Sequence, residues 1–456
     1  MLKELPGALL QQLQSVEGFD EAAFKAAHQE PAVTSVRLHP VKGSDLYGQN
    51  KAIPWCPDGR YLPQRPVFTT DPAYHAGAYY VQEASSMFLD YMFRQVVGNK
   101  TGLRVLDLCA APGGKSTLIA SLLDRDSLLI SNEVIRPRSS ILEENMIRWG
   151  YSNTWVTSND PRDFGKIPGY FDVIVADVPC SGSGLFRKDE KALDEWSIDN
   201  VNLCSQRQQR ILADVWPALK QDGILIYATC SYSPQEDEEI LDWLADTYDA
   251  ATVKVDLPED WGVVAVTSKK RGMCGYRFFP DKIQGEGFFI AAIQKKDVSE
   301  RLRYPRFKTA NNRQLQEQAS FLLQPQDYCF LQTDNYTIAI NPQHEEDLQI
   351  LQKTLYFRKA GIALGEAAGK DWLPAHNIAL SVDTAKDLAH FEVNKEQALH
   401  YLKKEEMGVL PDGKGWYMVT YNGLGLGWLK ALGNRANNYL PKNWRIRMEI
   451  TDSDWA

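Results

Sequence analysis

Two cysteines are the side chains in this sequence best suited to chemistry. Cys180 lies in Asp177-Val178-Pro179-Cys180-Ser181-Gly182 and Cys230 in Ala228-Thr229-Cys230-Ser231-Tyr232. Each directly follows an apolar run that reads as a buried strand, and parallel strands bring their carboxyl ends to one rim, where α/β sheets build their sites. A single buried cysteine is ordinarily a small, inert hydrophobe. Two at strand ends, one preceded by Asp-Val-Pro, argue for a use of sulfur, and carbon methylation of a pyrimidine fits. Cytosine C5 is a poor nucleophile, whereas a thiolate adding at C6 turns C5 into an enamine-like carbon that can attack a methyl donor. Such chemistry needs a thiolate, a carboxylate such as Asp177 against the base edge, and a way to remove the C5 proton so that sulfur can leave. A free thiol of pKa about 8.5 is little ionised at neutral pH, so local activation is required. Residues 233–236, Ser-Pro-Gln-Glu, read as a helix start with an N-cap serine, proline at N1 and a capping-box glutamate. The positive end of that helix favours a thiolate at Cys230, and the acids Glu236, Asp237, Glu238 and Glu239 oppose it. Spacing leaves open which cysteine attacks. Amino-group methylation would share the Asp and Pro without needing sulfur, and disulfide redox chemistry would use both thiols without capturing a base.

Upstream, Cys109-Ala110-Ala111-Pro112-Gly113-Gly114-Lys115 joins a strand-like run to a helical one. Gly113 and Gly114 let the backbone approach a ligand, and a helix N-terminus offers free N–H groups to an anion, here the carboxylate of S-adenosylmethionine. Alone, such a turn serves packing as readily as binding. A P-loop would need glycine at position 109, where cysteine stands, and no GxGxxG dinucleotide fingerprint is present. Glu133 ends the second strand roughly 20 residues further on, where a carboxylate accepts both ribose hydroxyls. Asp160, after a third strand, either reaches the adenine amino group or forms an Asx turn before Pro161.

Groups at strand ends need a sheet to hold them. From about 101 to 295, apolar runs at 104–108, 128–132, 171–176 and 224–228 alternate with helical stretches, the pattern of a parallel α/β sheet, with 262–266 and 287–292 as an antiparallel edge. Residues 1–100 hold a polar helical start, a strand at 35–38, a Pro/Gly/Tyr-rich stretch and a helix bearing Ala84, Met87, Phe88, Tyr91, Met92 and Val96, and are expected to form a small accessory domain. Lys295 to Arg313, with Lys296, Arg301, Arg303, Arg306 and Lys308, is expected to be an exposed basic linker. Residues 296–456 carry strand-like pieces at 336–340 and 415–419 and suit one or two small α+β or barrel-like domains.

A chain of 456 residues exceeds one ordinary core. Its formal net charge of -9 counts against a uniformly basic nucleic-acid binder while allowing a local basic surface. No run approaches the roughly 20 apolar residues of a membrane span, and the start lacks the apolar stretch of a signal peptide, so a cytoplasmic protein is expected. Seven cysteines without a CxxC pair, and histidines without HExxH spacing, argue against a disulfide framework and a metal site.

Taken together, CAAPGGK from Cys109, DVPCSGSG from Asp177, TCSYSPQEDE from Thr229 and YVQEASSM from Tyr80 resemble the NOL1/NOP2/Sun family of RNA cytosine-C5 methyltransferases over about residues 75–240. The resemblance implies a Rossmann-like catalytic domain using S-adenosylmethionine. It implies a pocket of Cys109, Ala110, Ala111, Pro112, Gly113, Gly114, Lys115, Glu133, Asp160 and Asp177, with Cys230 as nucleophile and Cys180 as the helper that resolves the covalent RNA adduct. Residues 185–189, Leu-Phe-Arg-Lys-Asp, and the long C-terminal extension are most similar to the bacterial 16S ribosomal RNA methyltransferase F branch. That branch implies PUA-like RNA-binding modules and a decoding-region cytosine of 16S RNA as target, free or in the assembled small subunit, modified by a monomeric enzyme. Pro179, Arg187 and Lys188 are the expected substrate contacts. Residues 428–447, with Lys430, Arg435, Lys442, Arg445 and Arg447 around Tyr439 and Trp444, suit RNA or a solvated basic face over core tryptophans. Residues 422–427, Asn-Gly-Leu-Gly-Leu-Gly, read as a structural turn, and Arg37 and His75 either face RNA or satisfy local carbonyls. The alternatives are a transfer-RNA substrate and a non-catalytic ribosome-assembly protein, and the intact pocket residues argue against the latter.

Overall fold

The computed structural model describes residues 4–43, 46–298, 319–333, 336–368 and 371–450. Five strands, Arg104–Asp107, Leu128–Asn132, Thr154–Thr157, Phe171–Asp177 and Leu219–Thr229, form the parallel heart of a ten-stranded sheet. Their near-continuous apolar character follows from burial on both faces: every residue of Leu128–Asn132 and Thr154–Thr157 is buried. Arg104–Asp107 lies between Leu128–Asn132 and Phe171–Asp177, so the strand order reverses there. Ligand clefts of doubly wound sheets open beyond the carboxyl ends at this point. The Cys109 loop, Glu133, Asp160, Asp177 and Cys230 all stand at those carboxyl ends.

The expected antiparallel edge forms from Phe288–Lys295 and Val264–Thr267, with an additional strand, Cys274–Phe278, between them. At the opposite edge a strand from the C-terminal part, Phe357–Lys359, pairs antiparallel with Thr154–Thr157. Lys295 does not begin an exposed linker. It ends the Phe288–Lys295 strand at 4 % exposure, where its ammonium donates to the carbonyls of Trp216 and Leu219. Arg301, Arg303, Arg306, Lys308 and Arg313 lie outside the described residues.

The N-terminal strands Ala52–Ile53, Cys56–Leu62, Thr34–Leu38 and Tyr79–Val81 make an antiparallel sheet in that order. The predicted helix after it begins as a 3-10 turn at Ser85–Met87 and continues as Phe88–Val97, burying Met87, Phe88 and Met92 in one core with Trp55, Val105 and Phe278. Helices Gly7–Leu13 and Glu21–Ala27 set Leu9, Leu13 and Phe24 against Tyr232 and Phe279. Toward the C-terminus stand two four-stranded sheets, one of Cys329–Gln332, Thr337–Ile340, Ile362–Ala368 and Asp371–Pro374, the other of His390–Glu392, Lys414–Tyr421, Leu424–Leu432 and Ala436–Asn438. Asn422 and Gly423, at φ 50° and 73°, close the hairpin between Lys414–Tyr421 and Leu424–Leu432. Asn-Gly with both φ positive matches the right-handed twist of the strands, which makes this segment the structural turn expected. Among the described residues no helix is long and apolar enough to cross a membrane.

Candidate active site

The sheet brings Cys180 and Cys230 together with their Sγ atoms 2.9 Å apart. The loop after Cys180 closes on the one after Cys230: Gly184 N–H donates to the Cys230 carbonyl at 2.9 Å, and the Ser183 hydroxyl accepts from Tyr232 N–H at 2.8 Å. Only glycine fits at 184, since a Cβ there would lie 2.4 Å from the Gly287 carbonyl oxygen and 2.8 Å from that of Cys230. Cys180 is held well above the ordinary thiol range by its hydrogen bond to Cys230, by burial and by the nearby Glu236 charge. At this separation either sulfur can donate to the other.

The capping box expected at 233–236 does not form. Pro234–Glu236 is a single 3-10 turn, Ser233 makes no side-chain cap, and the helix begins at Glu238. Glu236 turns inward because donors there satisfy a buried carboxylate: it accepts from Ser181 N–H at 2.8 Å, Ser181 Oγ at 2.5 Å, Ser231 Oγ at 2.6 Å and Gln208 Nε2 at 3.2 Å. Burial raises its pKa and these donors pull it back. Two of the other acids that would oppose a thiolate pair with one guanidinium, that of Arg277, which lies 3.0 Å from Asp237 and 2.5 Å from Glu238.

Asp177 meets Lys115 at 2.7 Å, joining the cysteine rim to the cofactor loop. Burial favours the neutral amine at Lys115, but Asp177, Asp107 and Cys230 together hold its pKa above the ordinary lysine value. Gly113, at φ 118°, N-caps the Gly114–Leu122 helix and offers no side chain to cap its first N–H groups. The loop around it is pinned by two residues not read from the sequence, Arg138 donating to the Ala111 carbonyl and Asn145 to that of Pro112, each at 2.7 Å. Their signal is a seven-residue separation, about two turns, which puts both on one face of the Arg136–Trp149 helix, invisible until that helix is set against the loop. Cys109 is kept a neutral thiol by burial and by the Asp107 and Glu133 charges. Glu133 is buried, accepts from Ile135 N–H at 2.9 Å and lies 3.4 Å from Arg138. Asp160 makes the Asx turn, its carboxylate accepting from Arg162 N–H at 3.2 Å at the N-cap of Pro161–Phe164. Asp107, also unread in the sequence, has one oxygen bonded to Ser116 and the other buried without a donor.

Pro179 and Lys188 are exposed at the rim. Arg187 is not free for phosphate: its side chain is 5 % exposed, paired with Glu286 at 2.9 Å and bonded to the carbonyls of Ala27 and Gly285. Arg37, 2 % exposed, likewise faces inward, donating to Gln82, the Gly114 carbonyl and Thr117. His75 Nε2 bonds the Thr69 carbonyl. In the basic C-terminal stretch Trp428 is core, Lys430 pairs with Asp371, and Trp444 packs edge-on against His376.

Three family patterns match the chain: 16S rRNA methyltransferase RsmB/F over residues 95–294, the N-terminal domain of 16S rRNA methyltransferase RsmF over 5–84, and the methyltransferase RsmF PUA domain over 389–446. The ribosomal RNA small subunit methyltransferase F of Shewanella sediminis is 31% identical over 88% of this chain and 86% of its own. That of Vibrio atlanticus is 30% identical over 96% and 97%. Among solved structures, a methyltransferase homolog from Pyrococcus horikoshii superposes with a TM-score of 0.53 at 28% identity, covering 64% of this chain and 100% of its own. NSun6 from the same organism, solved with SFG, shares the fold at a TM-score of 0.52 and 20% identity, covering 65% and 100%.

Proposed function

The chain belongs to the ribosomal RNA small subunit methyltransferase F family, and from that premise we propose that it methylates C5 of a cytosine in 16S ribosomal RNA, with Cys230 as nucleophile and Cys180 releasing the product. S-adenosylmethionine, the cofactor of this fold and family, supplies a methyl group as an electrophilic carbon. The residues present fit it. The uncapped helix start behind Gly113 suits its carboxylate, the donorless oxygen of Asp107 its ammonium group, Glu133 its ribose and the second oxygen of Asp160 its adenine.

The observation that carries the reading is the 2.9 Å contact between the two sulfurs, close enough for a proton to pass from one to the other. Cys230 sulfur bonds to C6, the C5=C6 π pair moves to C5, and C5 takes the methyl. Release is an elimination: the C5–H pair re-forms C5=C6 and the C6–S bond breaks toward sulfur. Cys180 gives its proton to the departing Cys230 sulfur and takes the C5 proton in exchange, so both cysteines end as thiols, and Cys230 gives up one proton to solvent before it attacks again. Asp177, fixed by Lys115, faces the base edge. Residues 1–100 and 296–456 present the RNA to the catalytic 101–295.

The test is incubation of single variants with cofactor and 16S RNA. Cys180→Ala is expected to accumulate a protein–RNA adduct that survives denaturation, and Cys230→Ala to form neither adduct nor 5-methylcytosine. The opposite pattern would exchange the two roles, and 5-methylcytosine made at the normal rate without Cys230 would end the reading.

A further inference from the structure

Both chain neighbours of Cys180 are gripped from one buried cluster. Pro179 gives its carbonyl to Gln208 Nε2 at 3.0 Å, and Ser181 gives its N–H and hydroxyl to Glu236. The same two side chains bond each other at 3.2 Å, and Glu236 also holds the Ser231 hydroxyl beside Cys230. Tyr227 bonds both, donating at 3.1 Å to Gln208 Oε1 and at 2.5 Å to the Glu236 carbonyl. The cluster binds the two loops unequally. Cys230 directly follows the Leu219–Thr229 strand, and its carbonyl already receives Gly184 N–H. Cys180 stands three residues beyond its own strand, and Glu236 and Gln208 supply the bonds to the residues on either side of it.

We propose that Glu236 is a positioning residue that keeps Cys180 in register with Cys230, so that losing its carboxylate stalls the reaction at the covalent adduct rather than preventing attack. This inference rests on the roles assigned above to the two cysteines. Without Glu236 the Ser181 N–H and hydroxyl lose their acceptor, the Cys180 loop relaxes, and proton exchange between the sulfurs fails. Cys230 keeps its place at the strand end and still bonds to C6.

The experiment compares Glu236→Ala, Glu236→Gln and Cys180→Ala with the unaltered full-length protein, using 16S RNA and S-adenosylmethionine. Glu236→Ala, which retains both cysteines, is expected to reproduce the denaturant-resistant adduct of Cys180→Ala, with turnover lower by roughly tenfold or more, the scale of one lost hydrogen bond to a charge. S-adenosylhomocysteine affinity should be unchanged. Glu236→Gln keeps one acceptor oxygen and should trap less adduct and recover part of the turnover. Gln208→Ala, which frees only the Pro179 side, should trap adduct as well and serves if Glu236→Ala fails to bind the cofactor product. Turnover without adduct at the normal rate, or cofactor binding with neither adduct nor product, overturns the proposal. Absence of adduct in Cys180→Ala would instead overturn the cysteine assignment itself.

Discussion

Asp107 ends the first parallel strand with one oxygen bonded to Ser116 and the other without a donor, and burial pushes its pKa up to about 7. A buried carboxyl raised above its ordinary value costs the apoprotein stability as pH rises from the usual carboxylate range toward 7, because the folded state then holds a proton that the unfolded chain has released. A ligand ammonium reverses the preference by favouring the ionised form. Affinity for S-adenosylmethionine should therefore fall as pH drops below about 7, by at most about tenfold per unit. Equilibrium dialysis between pH 6 and 8 checks this, and Asp107→Asn should bind more weakly with a flat profile. Asp107 is a residue the sequence hides, since its donorless oxygen shows only once the Ser116 hydroxyl is set against the other. Glu236 is hidden differently: Ser-Pro-x-Glu satisfies the capping rule locally, and the carboxylate is drawn inward by Ser231, by Gln208 and by Ser181, 55 residues away in the chain. Cys180, Cys230 and Asp177 are legible because strand-end placement is a local property.

At the scale of elements, four of the five parallel strands are legible because burial on both faces writes them as apolar runs, whereas Thr154–Thr157, half of it threonine, offers no such run. Phe357–Lys359 is not legible either, because Phe-Arg-Lys has no period and its partner, Thr154–Thr157, lies some two hundred residues earlier. Its attachment is backbone and amide chemistry. Asn159 Oδ1 accepts from Tyr356 N–H at 2.8 Å, its Nδ2 donates to the Tyr356 carbonyl at 3.1 Å, and Ser158 N–H donates there too. Asn159 is fixed from the other side by Asn132, which bonds both its N–H and its carbonyl. The strand from the C-terminal part thus clamps the segment that carries Asp160, the residue proposed above to face the adenine. Asn159→Ala should loosen this clamp, lowering stability by about 1–2 kcal/mol and weakening S-adenosylhomocysteine binding severalfold. Urea unfolding and calorimetric titration measure the two effects separately. A loss of stability with unaltered affinity would confine the strand to attaching the C-terminal region.

At the scale of the whole molecule, the N-terminal, catalytic and C-terminal parts converge on one ammonium group. Lys42 donates to the carbonyls of Ala76 at 3.2 Å, Arg148 at 2.8 Å and Leu380 at 2.5 Å. Arg148 lies in the last turn of the Arg136–Trp149 helix, where carbonyls lack intrahelical partners and a cation is favoured. The approach is close enough to demand glycine: at Gly150, φ 88°, a Cβ would stand 2.3 Å from the Leu380 carbonyl oxygen, and at Gly77 one would stand 2.1 Å from that of Arg148. His39 completes the junction through the Trp149 carbonyl at 2.9 Å. Nothing in the sequence around Lys42 marks it, because its three acceptors lie up to 338 residues from it in the chain. Lys42→Met keeps the aliphatic stem and removes the donor, leaving three carbonyls unpaired at the point where the parts join. The expected loss is about 3 kcal/mol, seen as a lower urea midpoint. Because Leu380 belongs to the C-terminal part, amide hydrogen exchange across residues 376–385 should also be faster in this variant, and equal exchange at equal stability would show that the junction does not depend on Lys42.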